Sequence, residues 1–308
     1  MTERIRKIIF LTAALVCLLP FMSPPLALLL GLILAQFIKH PYQEMNHKAT
    51  NFLLKVSVVG LGFGMNVFAA MKAGAEGFLF TVASISGVLI LGYVLGKLFK
   101  IERKTSYLIS AGTAICGGSA IAALSPVMKA EEKEISVSLG IVFVLNAIAL
   151  FLFPMLGHAL GLTQSQFGMW CAIAIHDTSS VVGAASKYGE EALQIATTVK
   201  LARALWIIPL AFGASFLFKT EKSKVQMPYF IGLFVLAMLA NTYLPFVNAW
   251  STFIVSIAKA GLTLTLFLIG TGLSFKVVRV VGFKPFLQGL ILWVAISGAS
   301  LWAILSLG

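Results

Sequence analysis

Long stretches without a charged side chain are the feature that most restricts how this chain can fold. Residues 135–176 contain no Asp, Glu, Lys or Arg, and residues 8–38 and 227–258 are equally free of charge. About 20 apolar residues are enough to span a bilayer as a helix. Charged residues make up 11% of the chain, against about 25% in soluble domains. The sequence therefore predicts an all-α, polytopic membrane protein and excludes a soluble enzyme and a disordered chain.

We attribute the net charge of +12 to membrane topology, because Lys and Arg are concentrated in short segments between apolar runs. Such clusters are typical of cytoplasmic loops. We therefore expect the lipid bilayer as a partner and no nucleic acid, with the N-terminus in the cytoplasm and the C-terminus outside. The clusters are Arg4, Arg6 and Lys7; Lys39 and Lys48; Lys97, Lys100, Arg103 and Lys104; and Lys219, Lys222 and Lys224.

The three cysteines, Cys17, Cys116 and Cys171, lie far apart in apolar segments and form no CxxC motif. Neither a disulfide framework nor a metal site is indicated, and no cofactor is expected. The basic N-terminus followed by an apolar stretch imitates a signal peptide. A second apolar run follows directly after Pro25, so we interpret the first stretch as an uncleaved helix.

The apolar runs predict a single transmembrane domain over residues 1–308 with about eleven membrane segments. The expected segments are 8–19, 25–38, 51–71, 78–98, 105–128, 135–157, 164–187, 190–218, 227–243, 247–275 and 283–307.

Two segments end in similar glycine motifs separated by a constant offset of 208 residues. Gly62-Phe63-Gly64-Met65-Asn66 ends the third segment, and Gly270-Thr271-Gly272-Leu273-Ser274 ends the tenth. The charge pattern orients these segments in opposite directions, as in the inverted repeats of many secondary transporters. We therefore expect repeat-like halves of about 1–158 and 164–308, with chance similarity between small residues as the alternative.

A second, looser pair of motifs lies 61 residues apart, around Cys116-Gly117-Gly118-Ser119 and Asp177-Thr178-Ser179-Ser180. If both segments cross the membrane, they run parallel and the chain crosses eleven times. If both are re-entrant hairpins, they enter from opposite sides and nine crossings remain. Charge does not decide between these alternatives, because both give the same loops on the same sides.

Gly117-Gly118-Ser119 lies inside the charge-free segment 105–128. Each glycine costs about 1 kcal/mol in a helix interior, so the pair favours an interruption. An unwound backbone at this depth must line a cavity or be buried in protein. The half-helix that follows would point free N–H groups at the membrane centre, where they can bind an anion. A small-residue packing seam is the alternative.

His176-Asp177-Thr178-Ser179-Ser180 interrupts another apolar segment with five consecutive polar side chains. Ionisable groups within a membrane usually face a cavity or a partner. We predict that Asp177 and His176 bind a proton or ion, with Asp177 also able to balance a nearby cation. Thr178, Ser179 and Ser180 would contribute hydroxyl groups to substrate binding. A buried polar network that only joins helices is the alternative.

Lys200 and Arg203 lie on one face of the segment that begins near Glu190, about 15 and 20 Å from its start. Together with Asp177, these deep charges leave a surplus of one positive charge. Such a surplus predicts an anion, and the planar guanidinium of arginine is suited to oxyanions. Pairing with Asp177 and helix-end carbonyls is the alternative.

Weaker candidates for the site are Asn66, Ser274 and Cys116, which either coordinate a ligand or only pack. The sequence contains no HExxH, GxSxG or nucleotide-binding motif, so we expect neither an enzyme nor a primary pump.

The motifs Cys116-Gly117-Gly118-Ser119, His176-Asp177-Thr178-Ser179-Ser180 and Lys200-Leu201-Ala202-Arg203 resemble those of the YeiH-like sulfate exporter family. The resemblance covers nearly the whole chain and implies a multi-pass protein of the bacterial cytoplasmic membrane that exports sulfate. Cys116-Gly117-Gly118-Ser119 is also distantly similar to a motif of the bile-acid/sodium symporter superfamily, which implies broken helices crossing near the midplane. Cys116 replaces the proline that often precedes the paired glycines in that superfamily.

These observations predict a secondary transporter for a small inorganic or organic anion such as sulfate or sulfite. Transport would proceed by alternating access, coupled to a proton or a sodium ion. The alternatives are an intramembrane enzyme with His176 and Asp177 as acid and base, a cation/proton antiporter, or a non-transporting sensor. Substrate, direction and oligomeric state, including a homo-oligomer, stay open.

Overall fold

The computed structural model describes residues 3–19, 22–38, 40–218, 229–272 and 282–307, and within them it is helical with no strand, which confirms the all-α prediction. The helices are α1 (Glu3–Val16), α2 (Pro24–Phe37), α3 (Gln43–Gly62), α4 (Val67–Leu98), α5 (Arg103–Ala114), α6 (Gly118–Met128), α7 (Glu132–Ala159), α8 (Gln164–Ala174), α9 (Thr178–Tyr188), α10 (Glu190–Ala204), α11 (Ile207–Leu217), α12 (Tyr229–Tyr243), α13 (Pro245–Gly272) and α14 (Phe283–Leu307).

Five of the described helical stretches are long and apolar enough to cross a membrane. Shorter apolar helices accompany them, including α2, α6 and α12. The chain is therefore a multi-pass membrane protein, while the count of eleven segments stays a prediction. The five stretches are Ala70–Leu98, Lys133–Ala159, Glu190–Leu217, Pro245–Gly272 and Phe283–Ser306.

The helices form two compact units, and each contains sequence from both halves of the chain. The first unit comprises Met1–Met71 and Pro228–Phe275, and the second comprises Lys72–Met227 and Lys276–Gly308. Both interrupted segments belong to the second unit. The repeat-like halves 1–158 and 164–308 stay a prediction.

In the first unit, α13 packs against α2 and runs antiparallel to α3. The side chain of Asn46, near the start of α3, donates to the carbonyl of Leu268 near the end of α13 at 3.0 Å. Gly60, near the end of α3, faces Ala258 in the middle of α13, where an added Cβ would lie 2.8 Å from the alanine Cβ. The third and tenth predicted segments thus run in the opposite directions that the charge pattern indicates.

In the second unit, a glutamine on α14 holds helices together in the apolar interior. The Gln288 amide is buried and donates to the carbonyl of Gly92 on α4 at 3.0 Å and to the hydroxyl of Ser106 on α5 at 2.8 Å. Trp170 on α8 donates to the carbonyl of Ser297 on α14 at 2.9 Å. These bonds satisfy polar groups that lipid cannot satisfy, so they fix α4, α5 and α8 around α14.

Candidate functional site

The segment containing Gly117 is a helical hairpin, because its two ends lie next to each other. Lys104 at the start of α5 donates from Nζ to the carbonyl of Lys129, directly after α6, at 2.8 Å. Closer to the turn, a Cβ added to Gly112 on α5 would lie 3.0 Å from the side chain of Ile121 on α6. A helix that crossed the membrane would place its two ends at opposite faces. The segment therefore turns back at Ile115–Gly117, and we call it hairpin 1.

The segment containing Asp177 folds back in the same way. The rings of Phe167 on α8 and Tyr188 on α9 stack with centroids 3.8 Å apart. The hydroxyl of Tyr188 donates to the carbonyl of Leu162 just before α8, at 2.6 Å. Nearer the turn, the Cys171 thiol lies 3.6 Å from the carbonyl of Val181. These pairs run in opposite directions along α8 and α9, so the segment is a second hairpin, hairpin 2.

Helix α7 shows that the two hairpins enter from opposite sides. It begins three residues after Lys129, at the base of hairpin 1. At its other end, the ring of His158 stacks on Tyr188 at the base of hairpin 2, with centroids 4.4 Å apart. A helix of 28 residues is about 42 Å long and exceeds the hydrocarbon thickness of about 30 Å. Each hairpin arm of 11 or 12 residues reaches about half of the hydrocarbon thickness.

The tips of the hairpins meet beside the middle of α7. The backbone N–H of His176, in the turn of hairpin 2, donates to the Asn146 side chain at 3.0 Å. In the turn of hairpin 1, an added Cβ on Gly117 would lie 2.9 Å from Val142 and 3.4 Å from the Asp177 Cβ. Gly117 has φ +62° and ψ −122°, a conformation that favours glycine. The structure thus selects the re-entrant alternative and brings both motifs together at half-depth.

Asp177 caps the second arm of hairpin 2. Its carboxylate accepts from the backbone N–H of Ser180 at 2.8 Å, from the Ser180 hydroxyl at 2.9 Å and from the Ser179 hydroxyl. The positive end of α9 is therefore occupied by a carboxylate of the chain itself. Thr178, the first residue of α9, is buried beside it.

The second arm of hairpin 1 has no comparable cap. Gly117 occupies the N-cap position of α6 and offers no side chain to the free N–H groups. Gly118 is half-buried and Ser119 is exposed, whereas Cys116 is buried. Two arms, α6 and α9, begin at the meeting point and direct their free N–H groups toward it. Among the described residues, α9 is capped by a carboxylate and α6 is not.

Lys200 and Arg203 on α10 bind the negative ends of the first arms, α8 and α5. Lys200 Nζ donates to the carbonyl of Ile175 at 2.6 Å and to that of Ala172 at 3.3 Å. Arg203 Nη2 donates to the carbonyl of Ala114 at 2.5 Å. Both cations are fully buried, and within the described ranges no ion pair is recorded for either. They cap helix C-termini, which is favourable for cations.

Several buried polar atoms at this level have no hydrogen-bond partner. Both ring nitrogens of His176 are unpaired, although the residue has no exposed surface. Arg203 Nε and the Asn146 amide nitrogen are also unpaired. An unsatisfied buried polar group costs about 1–3 kcal/mol, so this arrangement favours the entry of water or a ligand.

The helix that carries Lys200 and Arg203 is itself interrupted, whereas the sequence predicts one continuous segment over 190–218. Helix α10 ends at Ala204, and α11 begins at Ile207 after a tight turn. Pro209 accounts for the interruption, because it lacks the N–H that would bond to the carbonyl of Leu205. The proline was the available sequence signal, and the turn places the end of α10 at the level of the hairpin tips.

The remaining candidates do not belong to either hairpin. Asn66 lies in the first unit, where its side-chain oxygen accepts from the backbone N–H of Phe68 at 2.9 Å, at the start of α4. Ser274 falls outside the described residues. Among the residues that the structure describes, no group of three His, Cys, Asp or Glu side chains is placed to hold a metal ion.

Comparison with known proteins assigns the chain to a family. The family described as Conserved hypothetical protein 698 matches residues 8–289. The chain belongs to this family. Relatives named UPF0324 membrane protein occur in Bacteroides thetaiotaomicron, 57% identical over 91% of this chain and 86% of the relative, and in Porphyromonas gingivalis, 53% identical over 92% and 88%. A relative in Bdellovibrio bacteriovorus is 48% identical over 98% of this chain and 95% of its own length.

The names of these relatives state that they are membrane proteins and give no substrate. No solved structure matches the chain. Family membership thus agrees with the resemblance to YeiH-like proteins and with the apolar helices.

Proposed function

We propose that this protein is a secondary transporter that moves a small anion across the bacterial cytoplasmic membrane. The single observation that carries the proposal is that hairpins 1 and 2 enter from opposite sides and meet at half-depth. Each hairpin is only about half as long as the membrane is thick, so each ends at the level of the central site and does not reach the opposite face. Access to one central site from either side in turn is what alternating access requires.

The charges at the tips favour an anion. Lys200 and Arg203 contribute two positive charges and Asp177 one negative charge, which leaves a surplus of one positive charge in a region of low dielectric. The positive end of α6, with N–H groups at Gly118 and Ser119, has no carboxylate cap. Asp177 occupies the equivalent position on α9 and shows which chemical group this kind of helix end binds.

We propose that Lys200 and Arg203 neutralise the anion, while the N-terminus of α6 donates hydrogen bonds to it. Thr178, Ser179 and Ser180 then act through Asp177, whose carboxylate two of them bind. Proton coupling through His176 or Asp177 is part of the proposal. The unpaired ring nitrogens of His176 support it, because they leave both positions free to exchange a proton through water.

An intramembrane enzyme is less well supported by the same contacts. His176 and Asp177 would have to act as an acid–base pair. The Asp177 carboxylate is instead engaged as the cap of α9, where it accepts hydrogen bonds from Ser179 and Ser180.

The proposal is tested by anion exchange in proteoliposomes loaded with sulfate or sulfite. Arg203→Gln is expected to lower exchange at least tenfold, because a charged hydrogen-bond donor contributes about 1.5–3 kcal/mol. Lys187→Gln removes the same charge from an exposed position in the last turn of α9 and serves as the matched control. Wild-type exchange rates in folded Arg203→Gln protein would contradict the proposal, as would product formation without movement of an anion.

A further inference from the structure

A partly open cavity of about 310 Å³ lies in the second unit, between α4 and the turn that separates α10 from α11, and Phe78 and Leu205 on its wall are exposed. Its volume is at the lower end of the range for small-molecule sites. The cavity is mostly apolar, with one hydroxyl group. Its lining includes Phe78, Thr81, Val199, Leu205, Trp206 and Pro209.

The buried guanidinium of Arg203 lies next to this cavity. Thr81 lines the cavity, and Ser84 follows it by three residues on the same face of α4. The hydroxyl of Ser84 accepts a hydrogen bond from Arg203 Nη1 at 2.7 Å. The chain neighbour of Arg203, Ala202, also lines the cavity. The residue that binds Arg203 Nη1 therefore lies about one helical turn, or about 5 Å along α4, from a residue of the cavity wall.

Arg203 has capacity for a further acceptor. Its side chain is fully buried, and Nε has no hydrogen-bond partner. The partners of its two terminal nitrogens are a neutral hydroxyl and a neutral carbonyl. A buried guanidinium held only by neutral acceptors is a favourable partner for an oxyanion, because hydrogen bonds between two charged groups are the stronger ones.

The charge count and the lining restrict the chemical class of this anion. Lys200, Arg203 and Asp177 together leave one positive charge, which a monoanion neutralises and a dianion would exceed. A strongly hydrated inorganic ion gains nothing from an apolar wall. An apolar ligand body gains about 25 cal/mol for each Å² removed from water.

We propose that this cavity binds the apolar part of a small organic monoanion, such as a short alkylsulfonate, whose acid group binds Arg203. The inference rests on the proposed function and names the substrate class of the same site. The acid group takes the place of the Ser84 hydroxyl at Nη1 or binds Nε. The alkyl chain lies against Phe78, Val199 and Trp206.

Binding to the purified full-length protein in lipid nanodiscs tests the inference. Sulfate, methanesulfonate and butanesulfonate are compared at constant ionic strength by the rise in unfolding temperature, since a ligand that binds the folded state stabilises it. We expect the largest rise with butanesulfonate, a smaller one with methanesulfonate and the smallest with sulfate.

Filling the cavity separates this inference from general anion binding. Ala202→Phe is expected to weaken butanesulfonate binding at least tenfold, and Ala202→Leu to weaken it less. Ala83→Phe, at an exposed position of α4 that does not line the cavity, is the matched control and should bind like wild type. The graded Ala202→Leu variant keeps the test decisive if the phenylalanine prevents folding.

The outcomes distinguish the two proposals. Loss of butanesulfonate binding in both Ala202 variants, with binding retained in Ala83→Phe, supports the cavity as the site of the organic part. Stabilisation by sulfate alone, unchanged by Ala202→Phe, overturns this inference and leaves the proposed anion transport intact. No stabilisation by any of the three anions in the wild-type protein overturns both.

Discussion

Replacing Gly117 by alanine is expected to destabilise the meeting point of the two hairpins. The residue has φ +62° and ψ −122°, where an L side chain costs about 1–3 kcal/mol. The added Cβ would lie 2.9 Å from the Val142 side chain on α7, which must shift, and 3.4 Å from the Asp177 backbone nitrogen. We expect a total loss of about 2–4 kcal/mol in the free energy of unfolding.

Gly118→Ala provides the matched control one residue further on. Gly118 is the first residue of α6, and its added Cβ would make ordinary contacts at 3.4 Å with Leu139 and Phe143. Thermal unfolding of the two purified variants, followed by tryptophan fluorescence, compares them directly. At about 2–4 °C per kcal/mol, Gly117→Ala should melt roughly 5–15 °C below wild type and Gly118→Ala close to it. Equal melting temperatures for both variants would refute the tip geometry.

Three further changes test individual contacts. Asp177→Ala removes the cap of α9 and should cost about 1–2 kcal/mol of unfolding free energy in thermal melts, with Asp177→Asn less damaging; an unchanged melt would contradict the cap. Tyr188→Phe removes the hydroxyl bonded to Leu162 and should cost about 1 kcal/mol in the same melts, while the ring stays stacked; a neutral effect would disprove that bond. The nearby carboxyl of Glu134 raises the pKa of Glu102, chiefly through a hydrogen bond, so Glu102 favours the folded state below pH 4.5 and this contribution is lost as pH rises through the folded pKa. The melting temperature of the wild-type protein should therefore fall as the pH rises above about 4.5, and Glu102→Gln should flatten this fall. An equally steep fall in the variant would refute the pairing of Glu102 with Glu134.

Much of the fold could be predicted from the sequence because the membrane restricts composition strongly. Charge-free runs indicate membrane segments whatever their tertiary contacts, and Gly117-Gly118 and Asp177-Thr178 signal interruptions through local preference alone. The structure confirms both interruptions at these positions. The direction of the chain after each interruption depends on long-range contacts such as Lys104 with Lys129, which no local pattern reveals.

The site was predicted less completely than the fold, for a related reason. The depth of Lys200 and Arg203 predicts an anion site, which stays a prediction, while the structure places both side chains at the hairpin tips. Helix-end carbonyls, which the sequence analysis gave as the alternative partners, do bind both side chains. Which segments supply them could not be predicted, because those carbonyls are far away in the sequence. The cavity beside Arg203 depends on how α4 packs against the turn after α10, and Pro209 alone indicated that turn.

The proposed transport mechanism depends most directly on the entry of the two hairpins from opposite sides. Single cysteines at positions 104, 129, 164 and 187, in a chain whose three native cysteines are replaced by alanine, can be labelled with an impermeant maleimide in intact cells and in inverted vesicles. We expect Lys104→Cys and Lys129→Cys to react from one side, and Gln164→Cys and Lys187→Cys from the other. Labelling of positions 104 and 129 from opposite sides would mean that the segment crosses the membrane, and it would contradict the hairpins and the central site built on them.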